Sequence, residues 1–99
     1  MNQATARDSQ ERVIVTVMGM DKVGIIAAVS TTLALYSANI LDISQTILGD
    51  FFTMIMIVDI VDCKVSLQEL QALLNDKGEE IGVQINAQHE DIFKFMHRL

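Results

Sequence analysis

The chain has 99 residues, 51% of them hydrophobic and 20% charged, which suits one globular domain with a modest core and leaves no room for a second. A net charge of −6 and seven scattered Lys and Arg residues argue against a nucleic-acid phosphate backbone or an anionic membrane surface as partner. The single cysteine, Cys63, excludes an intramolecular disulfide and any CxxC metal or redox motif, and it fits a reducing cytosol.

No apolar run approaches the roughly 18 residues of a membrane span. The opening stretch, MNQATARDSQ, lacks both periodicity and the apolar centre of a secretion signal. Residues 1–11 are therefore expected to be a polar tail, residues 12–99 a single domain, and the protein soluble and cytoplasmic.

Arg12 to Gly19 (RVIVTVMG) is dense in β-branched residues and predicts a buried strand that stops at the glycine. The stretch that follows sets Ile26, Val29, Leu33 and Tyr36 at helical spacing, with Ser30, Thr31 and Thr32 toward the other side. Asp21 stands where a cap of that helix would, able to accept from the Gly24 amide.

Asn39 to Leu48 and Phe51 to Ile60 read as two strands joined by Gly49-Asp50, a dipeptide suited to a two-residue hairpin turn. Ile40 and Ile43 are three apart, which breaks the two-residue alternation and predicts an irregular start or a bulge in the second strand. Ser66 and Glu69 form a capping box ahead of a second helix striped by Leu67, Leu70, Leu74 and Ile81. Gly82 is the preferred stop, because ending at Gly78 would exclude Ile81 from a stripe it extends in phase.

Val83 to Gln88 alternates Val83, Ile85 and Ala87 with Gln84, Asn86 and Gln88, the pattern of a strand with one buried face. After it, Ile92, Phe93, Phe95, Met96 and Leu99 suit a short amphipathic C-terminal helix, with Glu90 and Asp91 capping or starting it.

The order βαββαβ in one domain predicts the ferredoxin-like α+β fold. This is a four-stranded antiparallel sheet with both helices on one face and strands one and three central. Strand three is apolar on both sides, with Phe51, Ile55 and Ile57 opposed to Phe52, Met54, Met56, Val58 and Ile60. Strand one sets Ile14, Thr16 and Met18 against Val13, Val15 and Val17. Helices cover one face only, so the second face predicts a homodimer or larger homo-oligomer, unless the C-terminal segment folds back over it.

The residues DKVGIIAAVSTTLALYSANILDISQ, from Asp21 to Gln45, resemble the signature of the ACT domain family: an acidic or amide residue, two further residues, a glycine, an apolar helix, and an Asn-Ile opening the second strand. With DISQT from Asp42 and FFTM from Phe51, the sequence looks closest to small stand-alone prokaryotic ACT proteins, and the resemblance runs from Val13 to the C-terminus. One departure is Ser37, where the family usually has a glycine in the left-handed conformation.

The resemblance implies a regulatory, allosteric module, not an enzyme, that binds a small molecule such as an amino acid near a subunit interface. It places the site at the turn of Asp21, Lys22, Val23, Gly24 and Ile25, beside the start of strand two at Asn39 and Ile40. Asp21 and Asn39 match positions where amino-acid-binding members use polar side chains, and Gly24 matches the turn glycine. Asp42 is added for its nearness in sequence. A ligand carboxylate would meet free amides at the helix start, where Gly24 adds no side chain, and an ammonium would meet Asp21 or Asp42. The same residues also have plain structural readings: Asp21 as a cap, Gly24 as a packing glycine and Asn39 as a turn residue.

The inventory for catalysis is thin. His89 and His97 lie eight apart with no cysteine partner or helical metal spacing, and no nucleophile elbow, P-loop or dinucleotide fingerprint occurs. No cofactor is implied. A CxxC in the first turn, as a metal chaperone of this topology would need, is replaced by Asp21-Lys22-Val23-Gly24, and the basic surface of an RNA-recognition domain is missing. The remaining alternative is a ligand-free interaction module that recruits a partner enzyme or regulator through the open sheet face.

Overall fold

The computed structural model describes residues 11–20 and 23–92. Its elements are β1 (Arg12–Met20), α1 (Ile25–Leu35), β2 (Asn39–Leu48), β3 (Phe51–Asp59), α2 (Leu67–Ile81) and β4 (Gln84–His89). The strands form one antiparallel sheet in the order β2-β3-β1-β4, the ferredoxin-like arrangement expected, with β1 and β3 central. Among the described residues, no helix is long and apolar enough to cross a membrane.

One face of the sheet carries the core. Val13, Val15 and Val17 of β1, Met54, Met56 and Val58 of β3, and Ile85 and Ala87 of β4 are buried with Val29 and Leu33 of α1 and Leu70 and Leu74 of α2. Burying each of the larger side chains contributes about 1.5–3 kcal/mol before entropy is counted. The two-residue alternation of the strands thus becomes an inner and an outer face.

Several boundaries differ from the sequence expectations. Gly19 does not end β1, which runs to Met20; Val83 packs over Gly19, so the glycine marks a close approach. β3 stops at Asp59, one residue short of Ile60. β4 begins at Gln84 and ends at His89, while Val83 packs against the core ahead of it.

The cap of α1 is Gly24, with φ 92° and no side-chain cap hydrogen bond. Gly24 therefore precedes the first helical turn, where the sequence reading had put it inside, and it holds the position assigned to Asp21. Asp21 and Lys22 lie outside the described residues. The buried face of α1 uses Ile25, Val29, Thr32 and Leu33, whereas Ile26 is exposed. Val29 and Leu33 of the expected stripe are kept, Ile25 replaces Ile26, and Thr32 turns inward, where its hydroxyl donates to the Ala28 carbonyl at 2.9 Å. That bond removes the cost of burying the polar group.

The end of α1 has the left-handed residue that the family pattern places at position 37. Ser37 has φ 62°, the Ser37 amide donates to the Ala34 carbonyl at 3.1 Å, and the Ala38 amide to that of Leu33 at 3.0 Å. These are the two bonds of a Schellman motif, here built on a serine.

The hairpin, the bulge and the second helix match the sequence. Leu48 pairs with Phe51 across Gly49-Asp50, and the register shifts between Ile40 and Asp42, so Leu41 is the extra residue. Ser66 accepts from the Glu69 amide at 3.1 Å and Glu69 from the Ser66 amide at 2.9 Å, which closes the capping box. Helix α2 passes Gly78 and ends at Gly82, whose φ is 77°. Residues 90–92 form a helical turn; the rest of the expected C-terminal helix, with Phe93, Phe95, Met96, His97 and Leu99, lies outside the described residues.

On the second face, Met18, Met20, Phe51 and Ile55 of the central strands are exposed. Cross-strand register puts Thr46, Thr53, Met18 and Gln84 in one row, and Ser44, Ile55, Thr16 and Asn86 in the next. The row of Asp42, Ile57, Ile14 and Gln88 follows. The two central strands thus carry an apolar stripe between polar edges.

Candidate ligand groove at the turn between β1 and α1

Gly24 opens the helix without filling its end. The first intrahelical bond runs from the Ala28 amide to the Gly24 carbonyl at 2.9 Å, so the amides of Ile25, Ile26 and Ala27 precede any intrahelical partner. Val23 beside them is fully exposed, and a Cβ added at Gly24 would meet nothing within 4 Å. The turn is therefore open ground at the positive end of an 11-residue helix.

A groove of about 580 Å³ leads from this turn between α1 and β2. Ile26, Ala27 and Ser30 form the helix side, and Gln45, Ile47 and Phe52 the sheet side. The groove exists because β2 is an edge strand whose inward residues Ile43 and Ile47 stay exposed. Its walls are apolar with two hydrogen-bonding side chains, Ser30 and Gln45, and none of the described lining residues is charged.

The sequence reading put the turn beside the start of β2, and the topology separates the two. Asn39 pairs with Asp59, which also pairs with Arg12. Leu48 pairs with Phe51, which pairs with Met20, and the turn follows Met20. Asn39 and Gly24 thus stand toward opposite ends of the sheet, about 20 Å apart, since Gly24 lies beside Gln45, six strand residues from Asn39.

Of the expected residues, Val23, Gly24 and Ile25 come together at the turn, with Ile25 buried. Asn39 and Asp42 are exposed and Ile40 is half-buried at the far end. The Asp42 carboxylate accepts from the Ile43 amide at 2.9 Å, beside the bulge. What the topology puts next to Gly24 is the end of β2, through Gln45 and Ile47. Gln45 left a trace in the sequence as a polar residue between Ile43 and Ile47 on the inward side of the strand.

The other singled-out side chains have local partners. His89 accepts from the Asp91 amide at 3.1 Å through Nδ1, and its Nε2 is 3.9 Å from Glu11 Oε2. Cys63 is half-buried against the core. Among the described residues no group of three or more His, Cys, Asp or Glu is placed to hold a metal ion.

Known proteins agree with this fold. The ACT domain family model matches residues 11–88. A UPF0237 protein of Methanocaldococcus jannaschii is 56% identical over 88 residues, which is 89% of this chain and 98% of that protein. A UPF0237 protein of Clostridium acetobutylicum is 50% identical over 88 residues, covering 89% of this chain and 99% of that one. Among solved structures, the ACT domain protein from Streptococcus pneumoniae is 41% identical with a TM-score of 0.75, covering 84% of this chain and 93% of that chain. The match spans the sheet, both helices and the open turn at Gly24, and the chain belongs to the ACT domain family.

Proposed function

We propose that this chain is a regulatory module that binds an amino acid at the α1 end of the groove. ACT domains are generally regulatory ligand-binding modules. The observation that carries the reading is Gly24, left-handed at φ 92° and without a side-chain cap, opening onto a groove of about 580 Å³. The ligand carboxylate takes the amides of Ile25 to Ala27, and its side chain lies along Ile26, Ala27 and Ile47. Ser30 and Gln45 supply hydrogen bonds, and the ammonium goes to Asp21 or to a second subunit.

A second copy also accounts for Asn39, Ile40 and Asp42. The β4 edge is guarded where Gln71 Nε2 donates to the Ala87 carbonyl at 2.6 Å, whereas β2, NILDISQTIL, carries no Lys or Pro to discourage pairing. In a homodimer with β2 antiparallel to its copy, Ile43 faces the partner's Ile47, and the partner's Asn39 and Asp42 come to the end of the sheet that holds Gly24. Each site is then completed across the interface.

The test is a thermal-shift screen with the twenty amino acids. A ligand at a hundred times its Kd adds about 2.7 kcal/mol of stability. The expected result is a raised midpoint for one group of amino acids, reduced by Asn39→Ala; a flat screen rejects the reading.

One observation favours a second reading, a ligand-free interaction module: Met18, Met20, Leu48, Phe51 and Ile55 stay exposed at one end of the open face. Under it, Asp21→Ala with Asn39→Ala leaves capture of a partner enzyme or regulator intact while no amino acid moves the midpoint.

A further inference from the structure

Helix α1 is a surface helix by position and a buried one by composition. Its 11 residues, IIAAVSTTLAL, include no charged side chain. Ala27, Thr31, Ala34 and Leu35 are nevertheless exposed, Leu35 at 64%. A helix at a protein surface ordinarily turns charged residues outward, and one without them is ordinarily covered. The sheet takes the side with Ile25, Val29 and Leu33, and the ligand groove runs along a second flank.

On the third flank, toward α2, lies a separate groove of about 520 Å³. Its α1 wall is Ala27, Ala28 and Thr31, small side chains that let another backbone come close, with Leu35 beyond them. Its α2 wall is Leu73, Asp76, Lys77 and Glu80. That wall runs against helix electrostatics. Cations stabilise a helix C-terminus, yet α2 carries Glu79 and Glu80 at its end and no basic residue in its last turn. Asp76 and Glu80, four apart, add like-charge repulsion along one side of the helix. Lys77 is engaged with Glu80 at 3.1 Å, and Asp76 has no ion pair among the described residues. Local rules broken without a compensating contact mark a surface that something else completes.

We infer that this groove docks a basic amphipathic helix of a partner protein. The partner's apolar residues lie against Ala27, Thr31, Leu35 and Leu73, and two of its Lys or Arg residues, one turn apart, meet Asp76 and Glu80. Charge selects this occupant. A second copy of the chain brings a net charge of −6 to an acidic rim, and the phosphates of nucleic acid or of an anionic membrane are repelled in the same way. Shape selects a helix. From Ala27 to Leu35 the groove follows α1 for about 12 Å, two helical turns, and the docked helix becomes a third member of the helix layer. Its basic residues then do for the end of α2 what a basic residue in the last turn would do. Ala27 lines this groove and the ligand groove alike, so the docked helix stands beside the ligand without displacing it. The inference holds with or without a ligand.

The probe is a fluorescein-labelled peptide of four helical turns, Leu and Lys in amphipathic order, followed by fluorescence anisotropy against the full chain at physiological ionic strength. Two controls are the same residues scrambled and the same order with Glu in place of Lys. The amphipathic basic peptide is expected to bind at least tenfold more tightly than either. Asp76→Asn with Glu80→Gln should weaken it at least tenfold, and so, separately, should Thr31→Arg, which fills the groove. Asp50→Asn with Asp62→Asn removes the same charge elsewhere and should leave binding unchanged. Absent binding, equal binding of a control peptide, or an equal loss in the Asp50 and Asp62 variant overturns the inference. Loss in Phe51→Asp with the groove variants unaffected also overturns it, since the peptide then sits on the sheet. Sedimentation velocity of the chain alone adds one outcome: self-association abolished by Thr31→Arg puts a second copy in the groove and overturns the docking of a partner. All the substituted groove residues are exposed, and circular dichroism checks that each variant folds.

Discussion

Val83 lies so close over Gly19 that a Cβ added to the glycine would stand 2.7 Å from Val83 Cγ1. The contact seals the join between β1 and the entry to β4, and a valine has little rotamer freedom with which to yield. Gly19→Ala is expected to lower stability by about 1–3 kcal/mol, the usual cost of overpacking. Urea denaturation measures it, and combining the change with Val83→Ala should recover part of the loss.

Gly78 sets two principles against each other. In an exposed helix interior, Gly→Ala gains about 1 kcal/mol from backbone entropy. Here the added Cβ would be 2.7 Å from the Val83 carbonyl oxygen and 3.2 Å from Ile85 Cγ1. A backbone oxygen cannot rotate away, so Gly78→Ala is expected to be destabilising despite the better helix former. A rise in the midpoint of thermal unfolding would show that α2 packs less tightly on β4.

Ser37 offers a gain. It is the one non-glycine described residue with positive φ, at 62°, and it closes α1 without relief from the steric cost of a Cβ. Ser37→Gly should stabilise the chain by about 1 kcal/mol less the extra freedom of the unfolded glycine. Equilibrium unfolding should show a shifted midpoint with an unchanged slope.

Ile47 separates folding from binding. It is 57% exposed, lines the groove and would face Ile43 of the partner subunit in the proposed dimer. Ile47→Asp is expected to change stability by no more than about 0.5 kcal/mol. It should abolish both the amino-acid thermal shift and self-association, because the new carboxylate repels the ligand's own and charges an apolar strand edge. Sedimentation velocity and the thermal-shift screen read the two effects separately.

Much of this fold is carried by short-range chemistry. The capping box at Ser66 and Glu69, the hairpin at Gly49-Asp50, the bulge around Leu41 and the helix stop at Gly82 each depend on residues a few positions apart. Side-chain alternation in β1 and β3 likewise declared two apolar faces, and the chain order of the elements left few topologies to consider. The start of α1 departs from its local pattern for the same reason in reverse. Asp21 is a good capping residue by type, yet a glycine that adopts positive φ without strain takes the cap three residues later, and packing on the sheet buries Ile25 and Thr32 in place of Ile26.

The sequence by itself determined the class of fold and the family. The tertiary structure alone decided what stands beside the turn at Gly24. Asn39 is near Gly24 in the chain and at the other end of the sheet in space, because the helix between them carries the chain back along the sheet before β2 begins. Gln45 and Ile47 reach the groove only through strand pairing, a contact between residues some twenty positions apart that no local pattern encodes. The same holds for Gly19 and Gly78, whose small size is explained by Val83 arriving from another element.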